Sequence, residues 1–180
     1  MNRREFLKSG TMFGTVLAFG GMSLAAACNA QTAAVSQKQT NAVNKVDDLP
    51  FEKVVKTDAE WKKILTPEQY YITREAGTEA PYTSPLTDLK DKGTFACVCC
   101  DLPLFSSETK FNSHTGWASF YAPIKAINVL EKVDNSLGES RTEVLCHRCD
   151  AHLGHVFDDG PKPTGLRYCM NGVALKLVKA

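Results

Sequence analysis

The chain has almost no excess charge of either sign: 21 Lys and Arg face 20 Asp and Glu over 180 residues. It therefore lacks the basic surplus that neutralises a phosphate backbone or an anionic membrane surface, and nucleic acid is not an expected partner. It has no internal repeat beyond two short cysteine motifs and no low-complexity stretch outside its first 50 residues. From Gly93 onward it shows no long helical pattern between its β-rich runs, which argues against βαβ units. Cysteine is what the chain does have, at seven positions.

Cys97 and Cys100 form one C-x-x-C motif, and Cys146 and Cys149 form another. Each tight turn supplies two thiolates, and folding can bring both turns to one ion, so the four cysteines are candidate ligands of a structural zinc. The 45 residues between the pairs exceed a zinc-finger spacing, so the ion would clamp a domain. Two disulfides, or redox-active C-x-x-C motifs, are the alternatives. Cys99 sits inside the first motif as a spare thiol or alternative ligand. Cys169 has no partner in sequence. It follows Arg167 and lies downstream of His152 and His155. A thiol with an ordinary pKa of about 8.5 is a poor nucleophile at neutral pH, and positive or hydrogen-bonding neighbours would favour its thiolate.

The front of the chain reads as an address. Arg3 and Arg4 precede Ser9–Ala27, an uncharged stretch of 19 residues interrupted by Gly14, Gly20 and Gly21. A membrane-spanning helix of roughly 17–25 residues is the alternative, but a twin-arginine signal peptide over 1–27 fits better. Leu24-Ala25-Ala26-Ala27-Cys28 resembles a lipoprotein cleavage box, so cleavage before Cys28 and lipidation of its sulfur are expected, with a cell-envelope location. Cleavage leaves 153 residues carrying 18 basic against 19 acidic side chains, enough for one domain with a core. Residues 28–50, rich in Gln, Asn, Ala and Thr, read as a flexible tether reaching about 25 Å as a random coil. Residues 51–180 form the expected domain.

Thr57-Asp58-Ala59-Glu60 is a capping box ahead of Trp61, Ile64 and Leu65, which share one helical face. Thr66-Pro67-Glu68-Gln69 starts a second helix, expected to end near Gly77. Strands are expected over Phe95–Val98, Ala126–Val133, Thr142–Cys146, His152–Phe157, Leu166–Asn171 and Val173–Val178, with a turn at Asp134–Gly138.

Four segments together with the paired C-x-x-C motifs resemble the methionine sulfoxide reductase B family. They are Phe111–Phe120, Arg141–Val144, His152–Phe157 and Arg167–Asn171, and the likeness runs from about Asp58 to Val178. The resemblance implies a mainly β fold: two antiparallel sheets clamped by a four-cysteine zinc site, with short N-terminal helices. It implies thiol-dependent reduction of the R epimer of methionine sulfoxide in oxidised peptides and proteins. Cys169 would be the nucleophile, leaving a sulfenic acid. Trp117, His152, His155, Arg167 and Asn171 match positions lining the family's site. A histidine, or water held by one, would protonate the leaving oxygen. Arg167 and Asn171 would bind that oxygen or orient these groups, and Trp117 would face the substrate methyl.

The likeness has departures. Thr115 stands where many members carry a resolving cysteine, so an external thiol, thioredoxin-like or another envelope reductant, would reset Cys169, or Cys99 would if its knuckle opens. Asp101 replaces a usual Gly and would bend the first knuckle differently. Ala118 replaces a frequent Pro and would loosen the loop carrying Trp117. His152 and His155 could alternatively complete a mixed zinc site. A non-catalytic zinc-clamped binding module and a disulfide-active oxidoreductase are the rival functions.

Overall fold

The computed structural model describes residues 49–180; the leader, Cys28 and the tether up to residue 48 lie outside the described residues. Among the described residues, no helix is long and apolar enough to cross a membrane.

Both capping boxes form. Thr57 N–H donates to Glu60 Oε2 at 2.8 Å, and Thr57 Oγ1 accepts from Glu60 N–H, opening helix α1, Asp58–Ile64. Thr66 N–H donates to Gln69 Oε1 at 3.0 Å, and Pro67 leads helix α2, Pro67–Arg74. Trp61 and Leu65 are buried as expected, but Ile64 is 57% exposed. One residue pair four apart fills the contact of so short a helix, and Ile64 falls off its edge. Helix α2 ends before Gly77 because Glu75 caps it and Ala76 turns left-handed at φ 53°.

The rest is two antiparallel sheets. In the smaller, β1 (Gly93–Cys97) lies between β2 (Pro103–Ser106) and β9 (Leu175–Lys179). The larger contains β3 (Lys110–Phe111), β4 (Ala118–Phe120), β5 (Val129–Asp134), β6 (Arg141–Cys146), β7 (His152–Phe157) and β8 (Arg167–Met170). Its order is β3-β4-β8-β7-β6-β5. The runs expected at Ala126 and Val173 each open instead with a single 3-10 turn, Ala126–Asn128 and Gly172–Ala174. Strands β2, β3 and β4 are two to four residues long. They are too short for a periodic signal and exist by tertiary pairing.

Aromatic packing joins the sheets. Phe120 of β4 stacks on Phe105 of β2 at 4.5 Å and meets Phe95 of β1 edge-on at 4.9 Å. All three side chains are fully buried. Strands β7 and β8 approach closely beside Cys169: a Cβ added at Gly154 would lie 2.1 Å from the Cys169 carbonyl oxygen.

The two C-x-x-C motifs are the tips of hairpins, one joining β1 to β2 and the other β6 to β7. Their backbones make the same turn. Asp101 N–H donates to Cys97 O at 3.0 Å, and Asp150 N–H donates to Cys146 O at 2.8 Å. Asp101 and Asp150 both sit left-handed, at φ 64° and 57°. That conformation explains a glycine preference there, and Asp is among the side chains that tolerate it. Asp101 therefore does not bend its knuckle differently; its carboxylate pairs with Lys176.

Phe120→Ala should cost about 3–5 kcal/mol, because it opens a cavity between the sheets. Equilibrium denaturation of metal-loaded protein measures this.

Candidate active site and metal centre

The sulfurs of Cys97, Cys100, Cys146 and Cys149 all lie within 4.8 Å of one another. Cys97 to Cys149 is 3.7 Å and Cys100 to Cys146 is 3.5 Å. A tetrahedral site with Zn–S bonds of about 2.3 Å has sulfur–sulfur edges of about 3.8 Å, whereas a disulfide is about 2.05 Å. The sulfurs therefore fit a metal, all four thiols are free, and the disulfide alternative is not the arrangement found. Four soft thiolate donors suit zinc. Neither histidine completes this cluster, since both are bonded to carboxylates elsewhere.

Cys169 lies on β8, flanked across the ladders by Ser119 of β4 and His155 of β7. Strand periodicity puts Arg167 on the same face. Arg167 donates to both oxygens of Asp159 at 2.8 Å and stacks on Phe157 at 4.4 Å. On the other side, Thr115 Oγ1 lies 3.9 Å from the Cys169 sulfur. Ser113 Oγ joins Thr115 at 2.8 Å to Ser119 at 2.7 Å. Burial pushes the Cys169 thiol up, while Arg167 and Thr115 pull it back. The expectation of an assisted thiolate thus holds for Arg167. Burial outweighs that assistance.

A cavity of about 140 Å³ opens beside Cys169, and Trp117, His155 and Asn171 are among the residues that line it. Thr78, Arg141 and Phe157 also line it; Arg141 and Phe157 lie in the resembling segments without an assigned role, and no sequence signal pointed to Thr78. His155 Nε2 bonds Asp134 Oδ2 at 2.8 Å, and Arg141 donates to the same oxygen at 2.6 Å. Asp134 is held well below the usual carboxylate range, first by Ser136 and then by His155 and Arg141. His152 does not line the cavity; it is 4% exposed beneath it. Its Nδ1 bonds Glu143 at 2.7 Å, its Nε2 has no partner, and its ring centre is 5.5 Å from that of His155. Burial favours its neutral form, against the pull of Glu143.

Trp117 Nε1–H donates to Glu79 O at 3.1 Å, and Asn171 Oδ1 accepts from Glu79 N–H at 3.0 Å. The Trp117 loop is further held by Tyr82 N–H and Thr87 Oγ1–H, both donating to Gly116 O. The sequence signals for Asp134 and Arg141 were a turn and a motif of unassigned role, and Glu79 gave none.

Cys99 lies against the four-sulfur cluster. Cys169 pairs across His155 to Glu143, three residues before Cys146. Two strand spacings and three residues of rise put Cys169 on the order of 14 Å from that knuckle. A disulfide needs Cα atoms within about 7 Å, so Cys99 reaches Cys169 only if the knuckle opens.

Alkylation of Cys169 by iodoacetamide should titrate above the ordinary thiol range. Arg167→Ala should move the midpoint higher, because it removes the main opposing charge and leaves Asp159 in place. Rates measured across pH test both statements.

A family model described as the SelR domain matches residues 65–179. The chain is 54% identical over 125 residues to a peptide methionine sulfoxide reductase MsrB from Herminiimonas arsenicoxydans, covering 69% of this chain and 91% of that one. It is 57% identical over 125 residues to the protein of the same name from Pseudomonas putida strain W619, covering 69% and 94%. A chloroplastic peptide methionine sulfoxide reductase B1 from Oryza sativa is 60% identical over 124 residues, covering 68% of this chain and 58% of its own length. With its two sheets, four-thiol centre and Cys169 cavity, the chain belongs to the SelR-domain, peptide methionine sulfoxide reductase B family.

Proposed function

We propose that this chain reduces the R epimer of peptide and protein methionine sulfoxide to methionine at Cys169. The observation that carries this reading is a half-buried thiol beside an arginine, opening on a small cavity walled by an indole, an imidazole and an amide.

The substrate methyl packs on Trp117 while the sulfoxide oxygen faces His155 and Asn171. The Cys169 thiolate attacks the sulfoxide sulfur, and a proton passes to the departing oxygen from His155 or a water it holds. The sulfoxide sulfur gains two electrons and leaves as a thioether. Cys169 loses two and keeps the oxygen as a sulfenic acid. Arg167, fixed by Asp159, stabilises the thiolate before attack. His152 supports the site from beneath and does not meet the substrate. Cys97, Cys100, Cys146 and Cys149 would hold zinc, which would tie the two sheets together away from Cys169.

Thr115 cannot form a disulfide, and Cys99 is remote, so a second, external thiol condenses with the sulfenic acid and water leaves. The paired arginines, uncharged stretch and Cys28 favour an exported, lipid-anchored protein repairing oxidative damage in the cell envelope. Its reductant is then an envelope thiol carrier.

Cys169→Ser tests the assignment. The variant should keep its zinc and lose at least about a thousandfold of its R-sulfoxide reduction. A wild-type protein inactive on both epimers with every thiol donor sinks the proposal, and one whose C-x-x-C pairs cycle through disulfides without metal favours the oxidoreductase. Mass spectrometry after one turnover without reductant should find no Cys99–Cys169 disulfide.

A further inference from the structure

Glu79 lies among the chemistry without belonging to it, and is 5% exposed. Its Oε1 accepts from Gly172 N–H at 2.8 Å and its Oε2 from Val173 N–H at 2.9 Å. These amides open the 3-10 turn that follows Cys169 and Asn171. Its backbone N–H donates to Asn171 Oδ1, and its carbonyl accepts from Trp117 Nε1–H. One residue thus grips both cavity walls that flank Cys169, and its neighbour Thr78 lines the cavity itself.

The bonding fixes what Asn171 can offer. Its Oδ1 is turned to Glu79, and one Nδ2–H is given to Leu153 O at 3.2 Å. One Nδ2–H is left over, so the amide keeps a donor available for a ligand in the cavity it lines. That polarity suits a sulfoxide oxygen. The turn is closed from the same side: a Cβ at Gly172 would lie 2.0 Å from Ser84 Oγ and 3.4 Å from Glu79 Oε1.

We infer that Glu79 is a positioning residue: its carboxylate anchors the 172–173 turn, so that its backbone holds Asn171 as a donor and Trp117 in the plane that meets the substrate. The inference rests on the proposed reduction at Cys169. Both carboxylate oxygens must accept, so Glu79→Gln is the informative change. It keeps the shape but sets an NH₂ group against a backbone N–H.

The experiment is a double-mutant cycle on the zinc-loaded protein, with R-sulfoxide peptide reduction as readout. Glu79→Gln alone should lower kcat/KM by about tenfold or more at a temperature where it remains folded, since small misplacements of substrate-contacting groups are costly. In an Asn171→Ala background the same change should cost measurably less, because only the part acting through Trp117 is left. An unchanged kcat/KM, or an equal loss in both backgrounds, overturns the inference and leaves Glu79 a merely structural residue.

Hydrogen exchange gives a readout independent of catalysis and of whether Glu79→Gln folds. In the unsubstituted protein the Gly172 and Val173 amides and the Trp117 indole N–H should exchange slowly, and in folded Glu79→Gln the indole should lose that protection. Fast exchange in the unsubstituted protein contradicts the anchoring. If the unsubstituted protein reduces neither epimer, the functional reading has failed, while exchange still decides the anchoring.

Discussion

The structure depends on four thiols meeting between two hairpin tips. One tip ends the β1–β2 hairpin of the small sheet and the other the β6–β7 hairpin of the large one. A metal at this point ties the two sheets together where no strand crosses between them. The Phe95, Phe105 and Phe120 cluster joins the same two sheets elsewhere in the core. Clamp and cluster together fix the large sheet, whose central strands β4, β8 and β7 carry Ser119, Cys169 and His155 side by side.

Opposed electrostatic effects meet at Cys169. A thiol in a small cavity is protected from bulk water, and that burial pushes its pKa up. Arg167 opposes the effect but is itself neutralised in part by the Asp159 carboxylate that orients it. The histidines divide similarly. His155 is fixed by Asp134 at the cavity wall, and His152 is fixed by Glu143 below it. Carboxylates thus hold four cationic or potentially cationic side chains around Cys169: Arg167, His155, His152 and Arg141. This is geometric control by Asp159, Asp134 and Glu143, none of which lines the cavity.

Much of this was legible in the sequence because the signals were local. Two capping boxes started both helices at the expected residues. The C-x-x-C pairs pointed by spacing to the four sulfurs that meet, and the family likeness gathered Cys169, Trp117, His155 and Asn171, which line one cavity. What escaped was set by tertiary contact. Strands β2 to β4 are too short to carry a period, and Ile64 lost its burial because its helix is only seven residues long. Glu79 sits in a non-periodic segment, and its bonds to Gly172 and Val173 span more than 90 residues. His152 and His155 look equivalent in sequence. Only the pairing of β7 with β6 and β8 separates a cavity wall from a buried support.

In the proposed reaction Cys169 takes the oxygen from methionine sulfoxide and then awaits a thiol from outside the chain. A single turnover without reductant, in the presence of dimedone, tests it most directly. The expected result is about one equivalent of methionine per chain from the R epimer, with dimedone attached at Cys169 and the four zinc thiolates unmodified. Methionine formed with no adduct at Cys169, or with the adduct at a knuckle cysteine, would contradict the account.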